Sequence, residues 1–510
     1  MTSPIDLNPR SLQTVERILA DYVPHCEVRA YGSRARWEAR DYSDLDLAVV
    51  GDGPLDRRIV GDLREAFEES DLPIRVDVVD WHAIDDAFRR RIEPDSVVMQ
   101  HSCHQKGWPS VALGDVVNNF DSRRVPLSRR ERATRPGPYP YYGATGVMDY
   151  IDNYLFEELH LLVGEDGSVE TPTGTPYVQL VDGQFWVNNH AHVLQGSDDD
   201  ETRFLYYALS ASQIRPFVSG SVQAKLTQAN LNRVPVPYPK HASDRRSIVG
   251  ILGALDDKIE LNTRMSETLD EMGRALFKSW FVDFDPVRAK AEGRPTGLPP
   301  EIDDLFPCAF ESSELGTIPT GWDVKSLGDA FHITMGQSPP SETYNYAGDG
   351  IPFYQGRADF GFRFPSRRVY CTSPRRLADA NDTLISVRAP VGDVNVATEP
   401  CCIGRGLAAI RHHGGHHSFT FYSMQALSRT FEPFESEGTV FGSLSKKGFR
   451  SLIWISPPQS LIAHFEANCS TLDSRIGSNA KASVALAALR DTLLPRLLSG
   501  ELRVPTAEVA

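Results

Sequence analysis

Two segments, LDDKIELN at residues 255–262 and LDSRIGSN at residues 472–479, share the pattern L-D-x-[K/R]-I-x-x-N and lie 217 residues apart, from 255 to 472. Similar matches occur upstream of them. Leu113-Gly114-Asp115 corresponds to Leu327-Gly328-Asp329, and Gly220, Leu226 and Leu231 share their spacing with Gly438, Leu444 and Phe449. A period this long indicates duplication of a whole domain together with the helix that follows it.

Both segments lie inside long heptad repeats, which predict helices. The repeat positions are Ile248, Leu255, Asn262, Leu269 and Leu276 in the first helix, with Ile251, Met265 and Met272 between them, and Phe465, Leu472, Asn479, Leu486 and Leu493 in the second. Asn262 and Asn479 occupy the middle core positions, where a buried amide fixes register at some cost in stability. We therefore expect an antiparallel coiled coil. Packing of each helix on its own domain is the alternative.

The rest of the duplicated region is typical of β-rich domains, with short β-branched and aromatic runs broken by Gly, Pro and Asn. The predicted division is residues 108–240 and 322–458 for two α+β domains, 241–285 and 459–504 for two spacer helices, and 286–321 for a proline-rich connector. Residues 1–100 have no counterpart in the repeat and form a separate small α/β domain. The fold class is therefore α/β multidomain.

Composition limits the classes of function. The 510 residues include 53 Lys and Arg against 68 Asp and Glu, a net charge of −15. This balance argues against a free-standing, tight nucleic-acid binder, because phosphate contacts need a local positive surface from basic loops or a partner. The seven cysteines form no zinc or disulfide pattern. With no signal peptide and no apolar run long enough to span a bilayer, we expect a cytoplasmic protein without membrane contact.

Three strings carry a family resemblance: KSWFVDFDP at 278–286, LGTIPTGW at 315–322 and LRDTLLPRLLSGE at 489–501. Residues from about 108 to 504 resemble the specificity subunit of type I restriction-modification systems. The resemblance implies two target-recognition domains that each read one half of a split, asymmetric double-stranded DNA site. It also implies two modification subunits, which carry S-adenosylmethionine, and restriction subunits, which use ATP.

Candidate DNA-contacting residues are basic, amide, aromatic or small residues in loops of the two β-rich domains. Arginine and glutamine can bond base edges in pairs, and basic rims neutralise phosphates. The candidates are Arg123, Arg124, Arg129, Arg130, Tyr142, Gly143 and Lys225 in the first domain, and Gln337, Ser338, Gln355, Arg357, Arg388, Lys446 and Lys447 in the second. The alternatives are that the arginines form a solvated loop and that Gln337 and Gln355 only satisfy loop backbone.

The first hundred residues carry a cluster of carboxylates. Asp44 and Asp46 are two apart on a predicted strand and share one face, and Asp77 on a second strand can join them. Clustered carboxylates repel unless a cation neutralises them, and Mg²⁺ prefers such oxygen ligands together with phosphate oxygens. Gly32 and Ser33, at the end of another strand, would lie close to phosphate groups.

The pattern G-S, D-x-D and a further Asp resembles a minimal nucleotidyltransferase of the DNA polymerase beta type, over residues 28–80. The resemblance implies that Asp44, Asp46 and Asp77 are the catalytic and metal-binding residues and that Gly32 and Ser33 bind the nucleotide. One residue departs from the pattern, because Trp37 stands where many such proteins have glycine. A degenerate domain kept only for docking is the alternative.

We interpret the chain as a fusion whose main activity is DNA recognition. A second hypothesis makes the chain a nucleotidyltransferase that the DNA-binding repeat directs to a protein or nucleic-acid acceptor. A third is an orphan binding module without modification partners.

Overall fold

The computed structural model describes residues 5–23, 26–40, 42–51, 54–55, 57–100, 108–220, 223–431 and 444–504. The chain divides into two compact units, residues 1–255 with 488–510 and residues 256–487. Each unit therefore contains one part of each long helix. Among the described residues, every helix is too short or too polar to cross a lipid bilayer.

The N-terminal domain is a small α/β fold, as the sequence predicts. Its sheet has the order β3-β2-β1-β4, with β1 antiparallel to both β2 and β4 and β2 parallel to β3. The strands are β1 Glu27–Tyr31, β2 Leu45–Val50, β3 Val76–Asp80 and β4 Val97–Gln100, and the helices are Pro9–Tyr22, Arg57–Glu68 and Asp86–Ile92. Alternate residues of β1 and β2 are buried against the helices, which leaves the carboxyl-terminal end of β1 and the start of β2 to form a polar edge.

The first β-rich domain contains three sheets. The strands are Asn118–Asn119, His160–Gly164, Val178–Val181 and Ala191–Gln195 in one sheet, Pro136–Tyr142, Val147–Ile151 and Trp186–Val187 in the second, and Ser110–Ala112 with Pro235–Pro237 in the third. The helices are Arg129–Ala133, Asp199–Ser210 and Gln228–Asn232. Helix Asp199–Ser210 packs Phe204 and Leu205 against strand His160–Gly164, and this contact forms the core of the domain.

The second β-rich domain has a related arrangement. Its strands are Phe331–Met335, Thr383–Ser386, Val394–Val396 and Leu407–His412 in one sheet, Tyr344–Asn345, Ile351–Tyr354, Tyr370–Cys371, Leu377–Ala378 and Cys401–Ile403 in the second, and Asp323–Ser326 with Ile453–Ser456 in the third. The helices are Leu327–Ala330, His417–Ala426, Ser428–Phe431 and Lys446–Ser451. The connector forms helices Asp285–Ala291 and Pro300–Asp303 and a hairpin of Phe310–Ser313 with Gly316–Pro319.

The duplication is visible in equivalent closing contacts. Each β-rich domain pairs its first strand antiparallel with its last, Ser110–Ala112 with Pro235–Pro237 and Asp323–Ser326 with Ile453–Ser456. The repeated leucine after each first strand donates its N–H to a carbonyl just before the last strand: Leu113 to Val234 at 2.9 Å, and Leu327 to Leu452 at 2.8 Å. The two halves therefore share a fold as well as a sequence pattern.

The two predicted spacer helices are Ala242–Phe281 and Gln459–Leu498, each of 40 residues. In the second unit, Asn262 Nδ2 donates to Ser483 Oγ and Asn479 Nδ2 donates to Ser266 Oγ, both at 3.3 Å. The residue numbers of the bonded partners increase along one helix as they decrease along the other, so the helices are antiparallel, as expected. Both asparagines are 3% exposed, and each finds a serine rather than the other asparagine.

Two details of the helices differ from the sequence prediction. Met272 is 53% exposed, and the buried stripe runs instead through Ser266, Gly273 and Phe277. The predicted end at residue 285 is also too late, because Phe284 has φ 56° and begins a separate helix that continues with Pro286. A left-handed residue followed by proline cannot extend the preceding helix.

Burial of His412 predicts that acid destabilises the second unit. The ring packs against Phe331 and Phe419, and its Nδ1 accepts the Gly414 N–H at 3.0 Å. Burial, with smaller effects from His416 and His413, lowers the pKa of His412 from 6.5 to about 4. The pKa of His412 is lower in the folded state than in the unfolded state. The contribution of its neutral ring to folding stability is therefore complete above pH 6.5 and is lost as the pH falls towards 4, with a loss of about 2 kcal/mol at pH 5.

Hydrogen exchange of strand Leu407–His412 between pH 7 and 5, corrected for intrinsic exchange, measures this loss. His412→Phe should flatten the pH dependence, since phenylalanine keeps the packing but does not titrate. An unchanged slope in this variant would assign the effect to another group.

Candidate functional site

The carboxylates of the N-terminal domain meet at one edge of its sheet. Asp46 on β2 is in direct register with Asp77 on the parallel strand β3, and Asp44 immediately precedes β2. Gly32 follows β1 with φ +80°, and a Cβ built at this position would lie 2.5 Å from Asp46 Oδ2. Glycine thus gives the turn both its left-handed backbone and its close approach to the Asp46 carboxylate.

The electrostatics of this edge favour a cation. Burial raises the pKa of Asp46, and the neighbouring Asp77 and Asp44 raise it further. Burial together with Asp46 and Asp77 also raises the pKa of Tyr31 to about 12. Arg75 lies 3.1 Å from Asp77, but its side chain is 72% exposed and screens the cluster weakly. Oxygen donors that repel each other in this way fit Mg²⁺, which would relieve the repulsion.

The turn after Gly32 is built by its own backbone. Arg36 N–H donates to the Gly32 carbonyl at 3.3 Å, and Glu38 N–H donates to the Ser33 carbonyl at 2.9 Å. Trp37 lies within this turn with φ 60° and is 57% exposed. Tryptophan therefore occupies a left-handed conformation that glycine adopts without strain.

In the second β-rich domain, four loops lie side by side. Three of them contain residues predicted to contact DNA, and the fourth, residues 404–406, was not among the predictions. Gln337 N–H donates to the Ile403 carbonyl at 3.0 Å, Gly406 N–H to the Gln355 carbonyl at 3.2 Å, and Val387 N–H to the Gly406 carbonyl at 2.9 Å. Arg405 N–H also reaches Ser338 Oγ at 3.3 Å. We call this the recognition surface, and it consists of Gln337, Ser338, Gln355, Arg357, Arg388 and Arg405.

The recognition surface is polar and partly cationic. Gln337, Gln355, Arg388 and Arg405 are exposed, and in the described part of the chain neither Arg388 nor Arg405 forms an ion pair. Arg357 Nε contacts Asp393 at 2.5 Å but remains 60% exposed. Lys446 and Lys447 lie at the start of helix Lys446–Ser451 and line an open concavity of about 650 Å³ with Ser326, Gly328, Asp329, Arg450 and Ser451.

The first β-rich domain places its candidates in three different settings. Tyr142 and Gly143 lie at the tip of the hairpin of Pro136–Tyr142 and Val147–Ile151, closed by Gly143 N–H to the Gly146 carbonyl at 2.8 Å. Arg129 and Arg130 are exposed on the short helix Arg129–Ala133, free of ion pairs within the described residues. Arg123 is exposed but donates to the Leu155 carbonyl at 2.9 Å and covers the Phe156 ring.

Arg124 and Lys225 instead belong to an internal ion network. Arg124 Nη1 contacts Glu165 Oε2 at 2.6 Å and is only 13% exposed, and Lys225 Nζ lies 3.3 Å from Glu165 Oε1. Buried His192 joins them, with Nδ1 2.6 Å from Asp121 and Nε2 2.7 Å from the Leu226 carbonyl. Glu165, Asp121 and His192 have metal-ligand spacing, but the two cations already neutralise the carboxylates. The network braces the domain, and Lys225, at 47% exposed, is its most exposed member.

Two family models match the chain. Residues 105–271 match the type I restriction modification DNA specificity domain, and residues 13–102 match the polymerase beta nucleotidyltransferase family. A putative type I restriction enzyme MjaX specificity subunit of Methanocaldococcus jannaschii is 32% identical over 288 residues, which is 56% of this chain and 63% of that protein. A probable protein adenylyltransferase MntA of Haemophilus influenzae is 45% identical over 96 residues, which is 19% of this chain and 84% of that protein.

This chain carries a type I restriction-modification DNA specificity domain and an N-terminal nucleotidyltransferase-family domain. The fold agrees: the crystal structure of a type I restriction-modification S subunit from M. genitalium matches with a TM-score of 0.50 at 17% identity, covering 76% of this chain and 96% of that one.

Sequence reasoning overlooked one exposed residue among these loops of the second domain, Arg405. Arg405 lies in Gly404-Arg405-Gly406, between strands Cys401–Ile403 and Leu407–His412, and its side chain is exposed. A Cβ on Gly404 or Gly406 would press against Gln355 or its neighbours, so both glycines allow the loops to pack closely. The signal that could have identified Arg405 was an arginine flanked by glycines between two short buried strands.

Proposed function

We propose that this specificity subunit reads a bipartite, asymmetric double-stranded DNA site, with one β-rich domain for each half-site. The observation that carries this proposal is a duplicated fold whose exposed loops differ between the copies. The first domain presents exposed Arg129 and Arg130 and a hairpin in which Tyr142 is half-buried and Gly143 is buried, whereas the second presents Gln337, Gln355 and arginines. Two related folds with different polar groups suit two different short base sequences.

Partners would complete the affinity for DNA. A net charge of −15 opposes binding to a polyanion, so the local basic side chains position the subunit while other subunits add contacts. We infer that two modification subunits, which carry S-adenosylmethionine, and restriction subunits, which use ATP, assemble on this chain in the cytoplasm. Each helix of the pair contains residues of both units. We infer that the pair sets the distance between the two half-sites.

Mapping methylated adenines in host DNA before and after deletion of the gene tests this function. We expect one bipartite motif to lose its methylation and to regain it when the gene is restored. A methylation map that does not change, in cells where the neighbouring modification subunit is expressed, would contradict the proposal and favour an orphan binding module.

A variant of Arg405 tests the recognition surface directly. We expect Arg405→Ala to weaken binding of the assembled complex to its DNA site by about tenfold, the usual scale for one arginine contact to a base edge. A salt titration separates the two kinds of contact, since loss of a phosphate contact reduces the salt slope by about one. Arg294→Ala, in the connector, is the control and should bind as wild type does. Wild-type affinity of the Arg405→Ala variant as well would show that Arg405 does not contact DNA.

A second activity is favoured by the direct pairing of Asp46 with Asp77 beside Gly32. We propose that the N-terminal domain binds Mg²⁺ through Asp44, Asp46 and Asp77 and a nucleoside triphosphate at Gly32 and Ser33. The bound cation would neutralise the phosphates and align them for transfer. The relative named as a probable protein adenylyltransferase makes a protein hydroxyl the first acceptor to test.

A further inference from the structure

A buried arginine in the second unit lies between the two long helices and the domain that packs on them. Arg363 is 3% exposed, although it belongs to a loop, residues 361–366, between the short turn Arg357–Asp359 and strand Tyr370–Cys371. Its Nη1 contacts Asp270 of the first helix at 2.7 Å, and its Nη2 contacts Asp473 of the second helix. One side chain thus joins both helices to one loop of the recognition domain.

Aromatic rings close the remaining sides of the guanidinium. It lies 3.4 Å from the ring centre of Phe421 and 5.1 Å from that of Tyr422, both in helix His417–Ala426. Tyr422 Oη also donates to Asp473 Oδ1 at 3.2 Å. Planar stacking and two carboxylate partners define one orientation of the guanidinium, which lysine could not reproduce.

The charges of Arg363, Asp270 and Asp473 stabilise one another in this partly closed site. Asp270 is 3% exposed, and burial raises the pKa of Asp473 although Arg363 acts to lower it. Arg274 contacts Asp270 Oδ2 at 2.6 Å but is 55% exposed, so it shields the pair only from the solvent side. Without Arg363, Asp473 would lose its ion-pair partner while its side chain stays only 21% exposed, and Asp270 would keep only Arg274.

The same loop is tied to the recognition surface. The Asp359 carboxylate accepts the Gln355 N–H at 2.7 Å and the Gly356 N–H at 3.4 Å, and Ser366 N–H donates to the Asp359 carbonyl at 2.8 Å. Val396 N–H donates to the Arg363 carbonyl at 2.9 Å, which fixes the loop to the sheet of the domain. Hydrogen bonds to Asp359, together with the chain of the loop itself, therefore connect Gln355 with Arg363 and through it with the helix pair.

We propose that Arg363 is a positioning residue that sets the angle at which Gln355 and Arg357 face the DNA relative to the helix pair. The proposal rests on the DNA-reading function proposed above. In this arrangement the half-site read by the second domain must lie at one distance along the duplex, because a domain rotated about the helices would present its loops to neighbouring base pairs. Arg363 thus contributes to discrimination of spacer length without contacting a base.

The test uses the specificity subunit assembled with its modification subunits and DNA duplexes that carry the mapped site, with the spacer unchanged, lengthened or shortened by one base pair. The informative variant is Arg363→Met with Asp270→Asn and Asp473→Asn, which removes all three buried charges and so avoids unpaired carboxylates. We expect it to assemble and to keep its half-site sequences, while the affinity ratio between the correct and the shifted spacer falls by about tenfold. Arg363→Lys should give an intermediate ratio.

Arg367→Met is the matched control, because Arg367 lies four residues along the chain, is 54% exposed and pairs with Glu399 inside the same domain. Its spacer ratio should equal that of wild type. An assembled triple variant with the wild-type ratio would overturn the positioning role and leave Arg363 a purely structural group. Wild type that binds the two half-sites equally well at every spacing would instead overturn the bipartite reading itself, and this inference with it.

Discussion

Asp44→Ala combined with Asp46→Ala is expected to abolish transfer of label from an α-phosphate-labelled nucleoside triphosphate, a loss of at least about 10³-fold. In the reaction, an acceptor oxygen bonds to the α-phosphorus as the bond to pyrophosphate breaks and the acceptor proton leaves. In the proposed site the two aspartates would supply two of the three carboxylates that hold Mg²⁺, and we expect that Asp77 alone cannot replace them. Incubation with Mg²⁺, followed by separation of labelled protein and nucleic acid, measures the loss.

Two exposed aspartates of the same domain provide the control. Asp62→Ala with Asp71→Ala removes the same number of charges from exposed positions that are not members of the Asp44, Asp46 and Asp77 cluster, and should leave transfer unchanged. Gly32→Ala should approach the loss seen in the Asp44 and Asp46 variant, because its Cβ would push against the Asp46 carboxylate at a φ of +80°. Absence of transfer with every triphosphate and with both wild type and variants would favour the degenerate docking domain instead.

Gly273→Ala should destabilise the second unit by about 2 to 3 kcal/mol, although alanine favours helices over glycine by about 1 kcal/mol. A Cβ at Gly273 would meet Tyr422 Oη and Cζ well inside van der Waals contact. Tyr422 is buried and bonded to Asp473, so it can yield only by breaking that contact. Native-state hydrogen exchange over residues 256–281 reports the change in the helix itself.

The same long helix contains its own control. A Cβ at Gly253 would have no atom within 4 Å, so Gly253→Ala should slow exchange around it, with a gain of about 1 kcal/mol. Adding Tyr422→Phe to Gly273→Ala should recover part of the loss, since it removes the nearest atom. Equal exchange in the two alanine variants would show that the helix and Tyr422 separate without cost.

Local patterns in the sequence predicted the fold well, and the nucleotide and metal site stays a prediction. Two-residue periodicity put Asp44 and Asp46 on one face, and the heptads located both long helices. The pattern did not fix the pairing of Asp46 with Asp77, because register depends on contacts between strands 31 residues apart in sequence, from 46 to 77. The asparagines were correctly expected to be buried, but their serine partners follow from the antiparallel alignment and not from either helix alone.

The exposure and partners of the candidate DNA contacts were harder to predict, because charge alone does not show what an arginine contacts. Arg124 lies in the same basic run as Arg129 and Arg130, yet its guanidinium binds Glu165 and the Ala191 carbonyl, 41 and 67 residues away. Arg405 has only two glycines beside it in sequence. Its position beside the other candidate residues is evident only in the structure, which brings four loops together. Which candidates touch DNA stays a prediction for both domains.

The two polar rungs of the helix pair bear on how such a chain could arise. Adding the repeat distance of 217 to Asn262 gives Asn479, and adding it to Ser266 gives Ser483, so the bonds Asn262–Ser483 and Asn479–Ser266 are one interaction made twice. A half-length ancestor with one asparagine and one serine could therefore have associated with an identical copy through both bonds. Gene fusion would then have freed the two readers to diverge, which a symmetric homodimer, confined to palindromic targets, cannot do.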